Sequence, residues 1–203
     1  GGRFNNNANA KLVGTADLDG TLQNSQGASL IANTVNVNGT LRNFGYMEAL
    51  DNSTVFGTLE NPGEIRLFNT AIGSRGESDF GTIGNTYTLK ATGKTQVSGL
   101  IANAQGAVAE FSGDDAELLI LDGGVVSNNG TLIADSLIVN DGGYFINGDN
   151  ARQTFTASPL RLRAVARAVA RATEQLKNLT VSEGGTKTNN GLAYYGTGTI
   201  RYY

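Results

Sequence analysis

A short phrase, Gly-Thr-Leu or a close variant, recurs along the chain and constrains what the chain can fold into. The copies, one of them relaxed to Gly-Leu-Ile, are Gly20-Thr21-Leu22, Gly39-Thr40-Leu41, Gly57-Thr58-Leu59, Gly81-Thr82-Ile83, Gly99-Leu100-Ile101 and Gly130-Thr131-Leu132. A repeat period of about 20 residues is typical of a solenoid, in which each repeat buries its apolar face only by stacking on the next. The chain is therefore predicted to be a stack of short β-strands.

The composition fits a chain that turns every few residues. It contains 28 Gly and only 2 Pro among 203 residues, and Gly and Asn tolerate the left-handed backbone region that tight turns need. In three copies an Asn stands two residues after the Leu, at Asn24, Asn43 and Asn61, and we interpret these as turn residues. Aliphatic residues alternate between the turns instead of being depleted, which argues against disorder.

A second form of the repeat follows in the later part of the chain. Its three copies are Leu118-Leu119-Ile120-Leu121-Asp122-Gly123-Gly124, Leu137-Ile138-Val139-Asn140-Asp141-Gly142-Gly143 and Leu179-Thr180-Val181-Ser182-Glu183-Gly184-Gly185. Each joins an apolar strand pattern to a turn that carries paired glycines. The last copy makes the C-terminal segment a continuation of the stack.

Together the two phrases resemble a known group of repeats. The copies Asn38-Gly39-Thr40-Leu41 and Asn128-Asn129-Gly130-Thr131-Leu132, with the Leu-x-Val-x-Asp/Glu-Gly-Gly strand and turn, are similar to the coils of filamentous-haemagglutinin-like and autotransporter-passenger proteins. Members of those families are secreted, right-handed parallel β-helices of bacterial surfaces. The resemblance implies that this chain is a parallel β-helix located outside the cell or on its surface.

One segment has a different period and a different charge. Ser158 and Pro159 suit the N-cap and first residue of a helix, and the apolar residues after them are spaced by three and four, which predicts an amphipathic helix over residues 158–178. Residues 152–177 hold six basic side chains against one acidic side chain, a net of +5, so that in a chain of net charge −3 the remainder carries −8. We expect Arg163, Arg167 and Arg171, four residues apart on this helix, to dock on the acidic body or on a neighbouring subunit.

The residue types present exclude several kinds of chemistry. The chain has no Cys and no His, which rules out disulfides, zinc sites of the Cys/His kind and catalytic triads that need either residue. Asp114, Asp115 and Glu117 are a candidate carboxylate cluster for polysaccharide cleavage, although their place beside Gly113 favours a solvated turn. The Asp17-x-Asp19-Gly20 phrase is too short for a calcium loop. We expect no cofactor, no metal and no enzymatic activity.

The two ends of the stack are the candidate interaction sites. A solenoid leaves unpaired strand edges at both ends unless something caps them. The polar N-terminal segment with Asn5, Asn6 and Asn7 needs a partner to be ordered, and the aromatic residues at the C-terminus suit a covered or joined end. These aromatic residues are Tyr194, Tyr195, Tyr202 and Tyr203. We expect the asparagines, the tyrosines and the arginine ridge to form the assembly interface.

The sequence thus predicts an all-β parallel β-solenoid with one inserted helix. We expect an N-terminal polar tail at 1–10, coils at 11–157, the basic helix at 158–178 and a terminal coil at 179–203. The start at Gly1-Gly2 without Met suggests a processed protein or an excised fragment, and no run is apolar and long enough to cross a bilayer.

The leading functional prediction is a secreted structural protein whose copies self-assemble head to tail into an extracellular filament or surface layer, with the chain itself as partner and no nucleic acid. Two alternatives stay open. One is an adhesin passenger fragment that binds a surface glycan or host receptor. The other is a phage fibre or a polysaccharide-cleaving β-helix enzyme.

Overall fold

The computed structural model describes residues 2–73, 80–148, 173–189, 192–195 and 199–202. These residues form two parallel sheets wound as a stack of coils. Each coil contributes one short strand to the first sheet and then one longer strand, or two shorter pieces, to the second. The predicted parallel β-solenoid is therefore confirmed.

The short-strand sheet contains nine strands, each paired in parallel with the next along the stack. They are Arg3–Asn6 (β1), Thr21–Asn24 (β3), Thr40–Asn43 (β5), Thr58–Asn61 (β7), Thr82–Asn85 (β9), Leu100–Asn103 (β12), Val125–Asn128 (β15), Tyr144–Asn147 (β17) and Thr186–Asn189 (β19). Five of them, β3, β5, β7, β9 and β12, begin with the Thr or Leu of a repeat phrase. Strand β19 begins with Thr186. The phrase that organises the sequence thus begins a short strand in most coils.

The long-strand sheet runs alongside it. Its strands are Asn9–Leu18 (β2), Ser29–Val37 (β4), Tyr46–Val55 (β6), Glu64–Ile72 (β8), Thr88–Thr92 (β10), Lys94–Val97 (β11), Val108–Phe111 (β13), Glu117–Ile120 (β14), Thr131–Val139 (β16), Thr173–Val181 (β18), Leu192–Tyr195 (β20) and Ile200–Tyr202 (β21). Where a coil has two pieces, such as β10 and β11, both pair with the same strand β8. The long strand therefore has two halves joined at a bend.

Side-chain alternation explains why these segments form strands. In β5 and β7, Thr and the third residue face outward while Leu and Asn are buried. In β4 the buried positions are Leu30, Ala32, Val35 and Val37, and the two residues at the bend both face outward. A period of two with one interruption at the bend places Leu30, Val35 and Val37 inside the stack.

The core consists of columns of aliphatic side chains that run along the stack. One column contains Leu22, Leu41, Leu59, Ile83, Ile101, Val126 and Phe145, each at most 2% exposed. Full burial of such a side chain stabilises a protein by roughly 1.5–3 kcal/mol. Because each column continues from coil to coil, a coil buries its apolar face only against its neighbours.

The paired-glycine turns are confirmed. The first glycine of each pair, Gly123, Gly142 or Gly184, has a φ of 71°, 69° or 78°, which is the left-handed region where a side chain is strained. The turns between β14 and β15, between β16 and β17 and between β18 and β19 therefore share one geometry.

The inserted helix is the part of the fold prediction that is wrong. Residues 173–178, which the prediction placed at the end of that helix, belong to strand β18, paired along its length with β16. Residues 158–172, including Arg163, Arg167 and Arg171, lie outside the described residues. No helix occurs among the residues that the structure describes, and none there is suited to cross a membrane.

Candidate functional site

Nine asparagines, one from each strand of the short-strand sheet, form an asparagine ladder along the stack. They are Asn6, Asn24, Asn43, Asn61, Asn85, Asn103, Asn128, Asn147 and Asn189. The Nδ2 of each donates to the Oδ1 of the next at 2.6–2.9 Å. The middle seven are at most 1% exposed, so these amides are interior groups and not the turn residues that the sequence suggested.

The ladder also joins the two sheets at their shared corner. Besides its ladder bond, Asn24 Nδ2 donates to the carbonyl oxygen of Tyr46 at 2.8 Å, and Asn61 Nδ2 donates to that of Thr88 at 2.7 Å. In both cases the acceptor is the first residue of the long strand in the next coil. A buried amide that keeps its hydrogen bonds avoids the cost of desolvation. Six ladder asparagines, from Asn6 to Asn103, make such a bond and hold the corners of their coils at a fixed spacing.

The first coil, formed by β1 and β2, is one end of the stack. Among the described residues no strand pairs with its outer side. Phe4 stands in the same column as Leu22 yet is 49% exposed. A depression of about 330 Å³ opens there, lined in part by Phe4, Leu18 and Leu22. This end therefore presents core positions to solvent.

The three predicted asparagines all lie at this end but on different sides. Asn5 and Asn7 are exposed, and Asn7 Oδ1 accepts a hydrogen bond from Ser25 Oγ at 2.6 Å. Asn6 points inward, is 5% exposed and begins the asparagine ladder.

The last coil, formed by β19, β20 and β21, is the other described end. The backbone of Tyr194 and Tyr195 lies on β20, opposite Gln175 and Leu176, and that of Tyr202 lies on β21, opposite Val181. Ile200 is 45% exposed, and Arg201 is exposed beside it. Tyr203 is outside the described residues. The predicted tyrosines that are described thus belong to one end coil, as the asparagines belong to the other.

A buried ion pair lies just inside the last coil. Lys187 Nζ is 2.6 Å from Glu174 Oε1, and the two side chains are 3% and 0% exposed. The ammonium group is also 5.2 Å from the centre of the Phe145 ring, a favourable cation–π distance. In the core columns Glu174 takes the position of Leu132, and Lys187 that of Phe145. The sequence did not predict this pair, because only the register of the paired strands shows that the two residues occupy core positions.

Polar side chains on the outer surface also connect adjacent coils. Tyr46 OH donates to Glu48 Oε2 at 2.8 Å, and desolvation together with this carboxylate raises the pKa of Tyr46 to about 12. Arg66 lies 5.5 Å from the centre of the Tyr46 ring and pairs with Glu64 at 3.0 Å. The contact of Arg66 with Tyr46 joins two neighbouring strands of the long-strand sheet, β8 and β6, whereas the two carboxylate contacts each lie within one strand.

A second outer contact lies further along the same face. Glu110 Oε1 accepts a hydrogen bond from Ser112 Oγ at 2.6 Å, and its carboxylate is 3.4 Å from Lys90 Nζ. The serine bond and the nearby ammonium hold the pKa of Glu110 below its ordinary value. The lysine and the glutamate come from adjacent strands, so this contact also links two coils.

The candidate carboxylate cluster is spread over an exposed turn. Asp114 and Asp115 are exposed, and Asp115 has a φ of 55°. Glu117 instead pairs with Lys94 of the preceding coil at 3.2 Å. In the described part of the chain no group of three acidic, His or Cys side chains is placed to hold a metal ion.

Comparisons with known proteins add little to this geometry. No family model matches the sequence, and a search of curated proteins finds no match. Among solved structures the chain is similar to a TibC-catalysed hyper-glycosylated fragment of TibA, residues 55–350, with 13% identity and a TM-score of 0.26 over 98% of this chain and 80% of that one. At that TM-score the likeness carries no argument, so the fold assignment rests on the strand pairing alone.

Proposed function

We propose that this chain is a non-enzymatic structural protein whose copies associate end to end into an extracellular filament or surface layer. The observation that carries the proposal is the open outer edge of the first coil. This coil presents the edge strands of both sheets together with the first ladder asparagine and the half-exposed Phe4. The extracellular location rests on the resemblance of the repeat phrases to secreted β-helices.

An exposed sheet edge can pair with a further strand. A row of backbone N–H and C=O groups on an edge strand is a template for another strand, and an apolar position beside it adds a hydrophobic contact. The first and last coils present different surfaces, so a contact between them is heterologous. Such a contact leaves both outer ends open and therefore adds copies without closing.

The proposal is tested by following the length of particles against concentration. Negative-stain electron microscopy and sedimentation of the purified chain should show rods that lengthen as the concentration rises. Phe4→Lys should prevent this growth, because it places a charge in the joint. Phe44→Lys is the matched control, since Phe44 is 43% exposed on the side of the stack and not at its end.

Two results would count against the proposal. Single short rods of the wild-type chain at every concentration would exclude self-association, and equal growth of Phe4→Lys and the wild type would exclude the first coil as the joint. Release of sugar reducing ends from a polysaccharide panel, lost in Asp114→Asn, would contradict the non-enzymatic part.

A glycan-binding adhesin is the second candidate, favoured by exposed aromatic rings on one corner of the stack. Phe44 and Tyr87 are 43% and 60% exposed, and both lie between a short strand and the long strand that follows it. An exposed ring face is a surface on which a sugar can stack. Binding of the wild-type chain to a glycan array, lost in Phe44→Ala and Tyr87→Ala, would favour this function.

A further inference from the structure

We infer that the end-to-end joint continues the solenoid in register with a second copy of this chain, and that Arg201 of one copy pairs with Asp17 of the next. This inference rests on the proposed function, of which the joint is a part. The inference is carried by two exposed side chains of opposite charge at the two ends of one row of the long-strand sheet. It names the partner and the register of the joint.

The two end coils contain corresponding strands, so each strand of one coil has a possible pairing partner in the other. The last coil supplies one short strand, β19, and the two halves of a long strand, β20 and β21. The first coil supplies a short strand, β1, and a complete long strand, β2. A second copy stacked on the last coil would therefore find a partner for each of its edge strands.

The register follows from the pairing already present inside the stack. Aligning the ladder positions places Asn189 of one copy next to Asn6 of the following copy. On the long-strand sheet, one row of paired residues runs from one end coil to the other. Its members are Asp17, Asn36, Thr54, Ala71, Gln96, Leu119, Ile138, Thr180 and Arg201. The same register across the joint places Arg201 opposite Asp17, at the usual strand spacing of about 4.8 Å.

The charges and the neighbouring contacts fit this pairing. Asp17 and Arg201 are both exposed, and neither belongs to an ion pair among the described residues. Along the same row, Asn36 Nδ2 donates to Asp17 Oδ1 at 2.7 Å, and Thr54 Oγ1 donates to Asn36 Oδ1 at 2.8 Å. Side chains in this row thus already bond from coil to coil, and an arginine next to Asp17 would extend that series with a charge-assisted bond.

Charge reversal tests the inference in the full chain. Asp17→Arg and Arg201→Asp each place like charges across the joint and should raise the concentration for half-maximal assembly by about tenfold or more. The double variant restores opposite charges in the same register and should assemble close to the wild-type concentration. Circular dichroism of each variant checks that the coils remain folded.

Cross-linking measures the register directly, because the chain has no cysteine of its own. Asp17→Cys combined with Arg201→Cys should give disulfide-linked oligomers on oxidation, since a disulfide needs Cα atoms about 4.4–6.8 Å apart. Asn36→Cys combined with Arg201→Cys is the matched control. Both residues lie in the same row and on the same face, but Asn36 is one coil further from the joint than Asp17. This pair should therefore not cross-link.

The two proposals fail in different ways. Filaments of the wild-type chain with no rescue in the double charge variant, or with equal cross-linking in the control pair, would overturn the register and leave end-to-end assembly standing. Absence of any filament would overturn the proposed function and this inference together.

Discussion

The recurring glycine before the short strands β3, β5, β7, β9 and β12 is explained by a close approach of two backbones. A Cβ on Gly39 would lie 2.1 Å from the carbonyl oxygen of Gly20, and one on Gly57 would lie 2.1 Å from that of Gly39. The same carbonyls accept hydrogen bonds from the backbone N–H of Thr40 and Thr58 at 2.8 and 2.9 Å. The glycine is therefore needed for space, since a side chain would push the coils apart.

Gly57→Ala should consequently destabilise the protein by about 2 kcal/mol or more, because the clash is with rigid backbone. The free energy of unfolding from urea titration measures this. Gly84→Ala is the control, since its Cβ would have only the Leu59 carbonyl oxygen nearby, at 4.0 Å, and it should change stability little. Equal effects of the two substitutions would contradict the close-approach explanation.

The Glu174–Lys187 pair allows a second prediction at the scale of single residues. Lys187→Met leaves a carboxylate buried without its ammonium partner, which should cost about 3–5 kcal/mol in the free energy of unfolding. Combining it with Glu174→Met removes both charges and should recover most of that loss. Urea unfolding of the single and double variants measures the difference. A single variant as stable as the wild type would show that the pair is not required.

At the scale of elements, the asparagine ladder determines how the two sheets meet. Each short strand ends on a ladder asparagine, and amides such as Asn43 bond both to the next asparagine and to the start of the next long strand, Glu64. Hydrophobic columns hold the coils together but are not directional. The ladder supplies direction, because an amide out of register would leave buried donors and acceptors unsatisfied.

Asn61→Asp is therefore expected to lower the free energy of unfolding by about 3 kcal/mol or more, although the two side chains have the same shape. The carboxylate would face the acceptors Asn85 Oδ1 and the Thr88 carbonyl oxygen, to which the amide now donates at 2.8 and 2.7 Å, and a buried polar group with unmet bonds is costly. Urea unfolding at neutral pH gives the measurement. Asn52→Asp, at an exposed position of β6, is the control and should have little effect. A tolerated Asn61→Asp would mean that the ladder does not constrain the stack.

At the scale of the whole molecule, stability should vary along the stack. Within the part of the chain that the structure describes, each coil bonds only to its neighbours, so a middle coil is held on two sides and the first coil on one. In such an arrangement the ends open before the centre. The joint proposed above would give the first coil the second neighbour that it lacks.

Hydrogen exchange tests this gradient. In dilute solution the amides of β7 and β9 should exchange far more slowly than those of β1. On assembly the protection of β1 should rise toward that of the middle coils, while β7 changes little. Uniform protection along the dilute chain would contradict the nearest-neighbour description, and an assembled β1 that exchanges as before would place the contact elsewhere.

The sequence by itself determined the β-solenoid, because the features that specify it are local. A glycine at each close approach, a left-handed glycine such as Gly123 in each paired turn, and aliphatic residues at a period of two can all be read along one coil. The candidate ends followed from the same pattern.

Only the tertiary structure showed that residues 173–178 form a strand and not the end of a helix, and only it revealed the asparagine ladder and the buried ion pair. The bend in a long strand leaves two residues between the inward positions Leu176 and Leu179, and the resulting spacing of three matches that of a helix. Pairing with β16 shows that the segment is a strand. The sequence around an asparagine at the end of a strand is the same whether its side chain faces outward or inward. Its role depends on a partner 18 or more residues away along the chain, and that distance is closed only when the coils stack.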